Sequence, residues 1–202
     1  MSHDTWLHRV SRAVIVRPLL PTFVTPNQLT ALRLITGIVA SLAVAGGGRE
    51  QMMTGAGLFV ISMLLDRADG DLARARGAAT PRGHVFDLVS DAVCNALIFV
   101  GLGLGLRDGG VDDGVFVMGM IAGAGVALIL SMVLRVENRD GARAAELRGH
   151  SGFDPDDAML AVPVAIWLGV PKALLFAAAF GAPCFAVIFF FVFRKKLIGA
   201  AH

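Results

Sequence analysis

The sequence is poor in charge and in cysteine. Only 17% of its 202 residues are Asp, Glu, Lys or Arg, which is too few for a soluble domain of this length. Its two cysteines, Cys94 and Cys184, cannot build the disulfide framework of a small secreted protein. Both lie in apolar stretches, so we expect small apolar fillers. We find no internal repeat, low-complexity tract or separate soluble domain, and we expect no nucleic-acid partner.

Apolar residues dominate instead. They make up 55% of the chain, and the mean hydropathy is +0.69, which indicates an integral membrane protein. A helix needs about 20 apolar residues to span the bilayer. We predict an all-α fold with six transmembrane helices and a cytosol-facing polar cavity. The predicted spans are 28–47, 52–74, 83–106, 114–136, 156–171 and 172–194, of which 156–171 is short and contains Pro163.

The distribution of positive charge predicts the orientation. Of the eighteen Lys and Arg residues, all but Arg49, Arg107 and Lys172 fall on the side of the two termini. The positive-inside rule therefore places both termini in the cytosol, in a membrane that we expect to be a bacterial-type inner membrane. Residues 4–20 alternate apolar side chains with arginines, which predicts a basic interfacial helix at 1–24, the alternative being a solvated leader. We treat residues 1–202 as one domain, with the six-helix bundle at 28–194.

Four carboxylates stand at helical spacing between two apolar stretches. Asp66 and Asp69 share one helix face with two small residues, and Asp87 and Asp91 share a second face. Ionised carboxylates so close together near a bilayer must protonate or bind cations. The set contains only oxygen ligands, which favours magnesium, manganese or calcium over zinc or copper. The whole pattern comprises Asp66, Asp69, Gly70, Ala73, Arg74, Gly83, Asp87 and Asp91.

This pattern of eight residues over 26 positions resembles the signature of the CDP-alcohol phosphotransferase family, and every fixed position is matched. The family moves a phosphoalcohol from a CDP-linked donor to a hydroxyl, and CMP leaves. The resemblance implies that Asp66, Asp69 and Asp87 are ligands of a two-metal site for Mg²⁺ or Mn²⁺. Asp91 would share the second metal and act as the general base. The resemblance also suggests a homodimer.

The resemblance assigns the CDP moiety of the donor to Asp69, Gly70, Ala73 and Arg74. Gly70 and Ala73 would let a nucleotide approach the helix backbone. Small residues also allow membrane helices to touch, so helix packing is the alternative. Arg74 would pair with a phosphate or with the carboxylates.

Neighbouring residues carry further expectations. Gly83 would bring the third span close to the second, or simply start a helix. Asp71 lies off the carboxylate face and is predicted to be solvated or interfacial. His84 follows Gly83 and is a weak candidate for the cavity lining. Three arginines are read as topology signals, with donor headgroup contact as the alternative: Arg67, Arg76 and Arg82.

A second resemblance to the same family covers residues 25–33, where Pro26 and Asn27 indicate a helix start. Arg33 would lie inside the first span, where an unpaired charge is costly. We therefore predict that it is a counter-ion of the carboxylates, with substrate contact as the alternative. The glycines from Gly101 to Gly125 predict close helix packing or a dimer seam.

The acceptor alcohol is left open. Arginines in 135–157 would suit a phosphorylated acceptor or merely reflect topology. A run of carboxylates there would cap the next helix or bind an amine: Asp154, Asp156 and Asp157.

The leading function is a phospholipid-synthesising transferase that uses CDP-diacylglycerol and a polar alcohol, with membrane lipids around it. The alternative within the enzyme class passes a CDP-linked headgroup to a lipid alcohol such as diacylglycerol or ceramide. A divalent-cation transporter is the alternative from another class. The outer halves of the spans hold few polar residues, which disfavours transport, and a catalytically dead lipid-binding relative is equally disfavoured.

Overall fold

The computed structural model describes residues 6–107, 113–140 and 155–198, and these residues are mainly helical. A π-helical turn, Arg12–Val16, joins α1 to α2, and a 3₁₀ helix, Pro155–Leu160, precedes α7. The helices are α1 Trp6–Ser11, α2 Arg17–Leu19, α3 Pro26–Ala45, α4 Arg49–Ala75, α5 Pro81–Gly105, α6 Asp113–Asp140, α7 Ala161–Trp167 and α8 Pro171–Ile198.

Within the described residues, four helices are long and apolar enough to cross a membrane: Pro26–Ala45, Pro81–Gly105, Asp113–Glu137 and Pro171–Arg194. They confirm the expectation of an all-α integral membrane protein in the part of the chain that is described. Two predicted spans do not meet that criterion. Helix α4 has 27 residues, but charged side chains occupy its second half. The apolar stretch Ala158–Trp167 is shorter. The count of six spans stays a prediction.

Local signals fix the helix ends at one end of the bundle. Thr25 and Gln28 form a capping box before α3, in which Gln28 N donates to Thr25 Oγ1 and Thr25 N donates to Gln28 Oε1. Gly77 ends α4 with a φ of 61°, a left-handed conformation that glycine adopts readily. Thr80 then caps α5 through the Gly83 amide. The start of α3, the end of α4, the start of α5 and the end of α6 thus meet at what we call the site end.

The core between the helices is apolar and closely packed. Helix α3 packs on α4 and α5, α5 on α6, and α6 on α8. Phe59, Ile98 and Leu102 are fully buried among them. Since lipid is as apolar as the core, association depends on close packing rather than on the hydrophobic effect. Gly103 and Gly119 allow α5 and α6 to pack closely, because a Cβ on Gly119 would lie 2.9 Å from Gly103 Cα. The packing prediction for the glycines is confirmed.

The segment from α1 to α2 lies along the second half of α4. Val16 is buried against Leu65 and Leu72, and Ser11 Oγ donates to the Leu64 carbonyl at 3.1 Å. Val14, on the other side, is exposed. Within the described residues the segment is helical from 6 to 19, inside the predicted range of 1–24. Its location at a membrane interface stays a prediction.

Arg76 has a structural role that the topology interpretation did not include. Its guanidinium donates to the carbonyls of Leu19 at 2.6 Å and Thr22 at 2.7 Å, and also to that of Val24. It therefore ties the chain between α2 and α3 to the end of α4.

Several expectations lie outside the described residues. They concern residues 141–154, with Arg143, Arg148 and Asp154, and the side chains of Arg139, Asp156 and Asp157.

We expect Gly119→Ala to lower the free energy of unfolding by about 1–3 kcal/mol, because the new Cβ would lie 2.7 Å from the Phe99 carbonyl oxygen. Thermal unfolding of detergent-purified protein measures this. Gly57→Ala is the control, because a Cβ there would meet no atom of the described residues within 4 Å. Equal behaviour of the two variants would contradict the packing role.

Candidate active site

The four helix ends enclose a cavity of about 600 Å³ at the site end. Most of the predicted residues line it together. Helix α4 contributes Asp69, Gly70, Ala73 and Arg74, and α5 contributes Gly83 and Asp87. The remaining lining is Pro26, Asn27, Thr30, Ala78, Ala79, Thr80, Pro81, His84, Val85 and Glu137. Asp66 and Asp91 do not line the cavity. Each lies about one helical turn from the lining aspartate of its own helix, on the side away from the loop at 76–80.

Arg33 joins these two carboxylates. Its Nε lies 3.3 Å from Asp66 Oδ1, and its Nη2 lies 2.5 Å from Asp91 Oδ1. The arginine side chain is 3% exposed. Asn95 Nδ2 also donates to Asp91 Oδ1 at 2.7 Å. The predicted counter-ion position of Arg33 is confirmed, and these contacts fix the orientation of Asp91.

The other two carboxylates differ in their partners. Thr30 Oγ1 donates to Asp69 Oδ2 at 2.5 Å, so α3 orients Asp69. Asp87 Oδ1 is buried and has no hydrogen-bond partner among the described residues. The charges of Asp66, Asp69 and Asp91 all act on Asp87. Because a buried unpaired carboxylate oxygen is costly, Asp87 marks the place where a cation is most needed.

The residues present fit a divalent metal by their chemistry. Hard carboxylate oxygens are the ligands that Mg²⁺ and Mn²⁺ prefer, and the unpaired Asp87 oxygen supplies one of them. In residues 6–107, 113–140 and 155–198, no three Asp, Glu, His or Cys side chains already converge in a metal-holding arrangement. Arg33 holds Asp66 and Asp91 in the described conformation.

Gly70 faces the cavity rather than another helix. A Cβ on Gly70 would have Arg74 atoms as its three nearest neighbours, at 3.4–3.7 Å. This observation disfavours the helix-packing explanation and leaves the α4 backbone approachable from the cavity. Ala73 and Arg74 line the same wall.

Gly83 follows the second of its two predictions, the start of a helix, because its amide donates to the Thr80 cap of α5. A Cβ there would meet Thr80 Oγ1 at 3.0 Å and Asn27 Oδ1 at 3.1 Å, with no α4 atom within 4 Å. The expectation of close approach to the second span is therefore wrong. Gly83 instead lets α5 start against its own cap and against α3.

His84 and Glu137 form a pair in the cavity lining. His84 Nε2 lies 2.7 Å from Glu137 Oε2, and the Glu137 side chain is 9% exposed. His84 was predicted only as a possible part of the cavity lining, and Glu137 was not singled out from the sequence. The available signal was periodicity, because His84, Asp87 and Asp91 lie on one face of α5.

Two charged residues of α4 are largely buried. Asp71, predicted to be solvated or interfacial, is not solvated, because it is 5% exposed and accepts a hydrogen bond from Arg12 of the N-terminal segment. Arg67, predicted to be a topology signal, is 9% exposed, and its Nη1 lies 3.5 Å from Asp66 Oδ2, while its topology role stays a prediction. Burial by α1 and the neighbouring helices could not be read from the helix period of α4 alone.

Comparison with known proteins decides the family. A sequence model of the CDP-alcohol phosphatidyltransferase family matches residues 23–193. The chain belongs to this family. The family membership and the reaction class, a metal-dependent transferase of phospholipid biosynthesis, are thereby confirmed as predicted.

Curated relatives agree with this assignment. The chain is 28% identical over 162 residues to a phosphatidylinositol phosphate synthase of Mycobacterium tuberculosis, covering 76% of this chain and 69% of that protein. It is 37% identical over 87 residues to a "Bifunctional IPC transferase and DIPP synthase" of Rubrobacter xylanophilus. That match covers 43% of this chain and only 19% of the longer protein.

Solved structures share the fold. The M. tuberculosis phosphatidylinositol phosphate synthase with CDP-DAG bound superposes with a TM-score of 0.73 at 22% identity, covering 96% of this chain and 100% of that one. The same enzyme in complex with manganese and citrate gives 0.73 at 20% identity, covering 97% and 93%. At such identities the likeness establishes the fold alone.

We expect Arg33→Met to lower the free energy of unfolding by about 3–5 kcal/mol in EDTA, because two buried carboxylates would lose their counter-ion. Thermal and denaturant unfolding in detergent measure this. Arg107→Met is the matched control, because Arg107 pairs at 2.5 Å with Asp113, which is 77% exposed. An equally small loss in both variants would contradict the counter-ion role.

Proposed function

We propose that this protein transfers a phosphatidyl group from CDP-diacylglycerol to the hydroxyl of a polar alcohol and releases CMP, at the cavity of the site end. The observation that carries the proposal is the convergence of Asp69, Asp87, Gly70 and Arg74 on one cavity. A family match over residues 23–193 supports the same reaction.

Asp66, Asp69, Asp87 and Asp91 are the proposed holders of two Mg²⁺ or Mn²⁺ ions. Bound there, the metals would neutralise the pyrophosphate oxygens and acidify the attacking hydroxyl. The buried, unpaired Asp87 oxygen and the mutual repulsion of the four carboxylates support this assignment. The M. tuberculosis relative was solved with manganese, which supports manganese as a probe.

Gly70, Ala73 and Arg74, with Asp69, form the proposed wall for the CDP moiety. Gly70 carries no side chain, so a nucleotide could lie against the α4 backbone. The Arg74 side chain is 44% exposed and lines the cavity, so its guanidinium could donate to a phosphate oxygen. The relative solved with CDP-DAG supports a lipid-linked cytidine nucleotide as donor.

Asp91 is the proposed general base. The acceptor hydroxyl would give its proton to Asp91, its oxygen would bond to the phosphorus that carries diacylglycerol, and the bond from that phosphorus to the CMP oxygen would break. Asn95 and Arg33 both bind Asp91 Oδ1 and so hold the Asp91 side chain in one orientation, next to the cavity lining. His84 and Glu137 also line the cavity and could contact the acceptor.

Inositol phosphate is the first acceptor to test, because the mycobacterial relatives are named for phosphatidylinositol phosphate. A phosphorylated acceptor would also use arginines in 135–157. Other polar alcohols fit the same chemistry.

We also propose six spans, with α4 and the Pro155–Trp167 segment completing the four apolar helices. Both termini and the site end would face the cytosol of a bacterial-type cell. The concentration of Lys and Arg on that side supports this topology. The exposed Val14 and the nearby arginines support an interfacial N-terminal segment. One domain over 1–202 and a homodimer complete the proposal.

Purified protein with Mn²⁺ or Mg²⁺ should release CMP from CDP-diacylglycerol when one suitable acceptor is present. The panel is inositol phosphate, glycerol phosphate, inositol, serine, ethanolamine and choline. Asp91→Asn should reduce the rate by about 10²–10⁴-fold, the usual contribution of a general base. CMP release by chromatography and lipid product by mass spectrometry are the measurements.

Asp113→Asn is the matched control and should leave this rate unchanged, because Asp113 is exposed beside Arg107. Release of CMP only when a CDP-linked headgroup meets diacylglycerol or ceramide would favour the reverse arrangement. Metal uptake into vesicles without any CMP release would favour transport.

Mn²⁺ at about 100 times its dissociation constant should stabilise the wild-type protein by about 2.7 kcal/mol, the value set by mass action. Asp87→Asn should lose most of this stabilisation, because it removes the negative charge of the buried side chain and replaces one carboxylate oxygen with an amide nitrogen that cannot bind a cation. Thermal unfolding with and without Mn²⁺ measures both, and Asp113→Asn should retain the effect. An undiminished Mn²⁺ effect in Asp87→Asn would remove that residue from the metal site.

A further inference from the structure

Asp71 stands beside the donor wall but faces the other way. It is the residue after Gly70 on α4, yet it does not line the cavity. Its side chain is 4% exposed and lies under the N-terminal segment, between two arginines and a histidine. The signature residues around it do not require an aspartate here, so its burial calls for a separate explanation.

Both Asp71 oxygens are engaged. Arg12 Nε donates to Oδ2 at 2.8 Å, and His8 Nδ1 lies 3.4 Å from the same oxygen. Arg74 Nη2 donates to Oδ1 at 2.6 Å, while Arg12 Nη2 reaches that oxygen at 3.4 Å. One carboxylate therefore joins the N-terminal segment to Arg74.

The bond from Asp71 decides where the Arg74 guanidinium lies. Asp71 and Arg74 are three residues apart on α4, so their side chains are neighbours. In this position the guanidinium sits over Gly70, with both terminal nitrogens within 3.5 Å of the place where a Cβ would be. Arg74 also lines the cavity. Asp71 thus fixes Arg74 at the boundary between the cavity and the N-terminal segment.

Asp71 neutralises only part of the positive charge of Arg74, so Arg74 can still bind an anion. A guanidinium has five N–H donors, and Asp71 takes one of those of Arg74 at 2.6 Å. Arg12 donates to both oxygens of Asp71, so the single negative charge is divided between two arginines. Arg74 therefore retains N–H donors and positive charge for an anionic ligand. Its side chain is also already ordered before the ligand binds.

We propose that Asp71 is a positioning residue that holds Arg74 ready for the donor phosphates, with Arg12 of the N-terminal segment as its second partner. This inference rests on the proposed function, since it takes Arg74 to contact the CDP moiety. A purely structural Asp71 would only fasten the N-terminal segment to α4. The two roles differ in which kinetic constant changes.

The test is steady-state CMP release by the full-length enzyme in detergent, with CDP-diacylglycerol and acceptor varied separately. Asp71→Asn should raise the donor KM roughly three- to tenfold, the scale of one charge-assisted hydrogen bond. The acceptor KM and kcat should stay within about twofold, because Asp71 does not line the cavity. Asp113→Asn removes an exposed ion pair in the same way and should change none of the constants.

A double-mutant cycle tests whether Asp71 acts through Arg74. Arg74→Gln should raise the donor KM, and adding Asp71→Asn should raise it little further. Additive effects, or a change confined to kcat and the acceptor KM, would overturn the positioning role. If Arg74→Gln raises the donor KM and Asp71→Asn does not, the inference fails while the proposed function stands. If Arg74→Gln leaves the donor KM unchanged, the proposed donor wall itself fails.

Asp71→Glu keeps the test decisive if Asp71→Asn does not fold. The longer side chain retains the negative charge that Arg12 binds but displaces the oxygen that Arg74 binds. A raised donor KM with wild-type thermal stability supports positioning. An unchanged donor KM with lowered stability identifies a structural tie alone.

Discussion

Charge neutralisation at the helix ends is the constraint on which the site depends. Carboxylates on apolar helices repel one another and are penalised for leaving water. Arg33 meets this constraint for Asp66 and Asp91, with a side chain that is itself almost wholly buried. Thr30 orients Asp69, and Asp87 keeps one buried oxygen without a hydrogen-bond partner. Three of the four aspartates have a hydrogen-bond or ion-pair partner, and Asp87 keeps an oxygen that has none among the described residues. This difference, more than the number of carboxylates, indicates where a cation would bind.

Helix α4 separates two polar environments within a few residues. The 3.6-residue period puts Asp69, Gly70 and Ala73 on the cavity wall and directs Asp71 toward the N-terminal segment. Arg74 belongs to both environments, because it lines the cavity and binds Asp71. The N-terminal segment, whose Arg12 and Val16 contact α4, is therefore continuous with the wall assigned to the donor.

Much of the site could be predicted because its signals are local. The spacing of the four aspartates follows one helix period, so both carboxylate faces were identifiable before their geometry was known. The start of α3 was readable from Pro26, and the counter-ion role of Arg33 followed from the cost of an unpaired charge in a span. Asp71 and Gly83 were misjudged for one shared reason. Their surroundings come from α1 and α3, which are distant in the sequence.

The sequence by itself determined the membrane class, the helix ends and the set of carboxylates, because hydropathy, capping and periodicity are properties of neighbouring residues. Only the tertiary structure decided which carboxylate is paired, and with what. It placed Arg33 between Asp66 and Asp91, joined His84 to Glu137 and buried Asp71 beneath the N-terminal segment. Each of these contacts joins residues more than 30 positions apart, and no local pattern encodes the packing that brings them together.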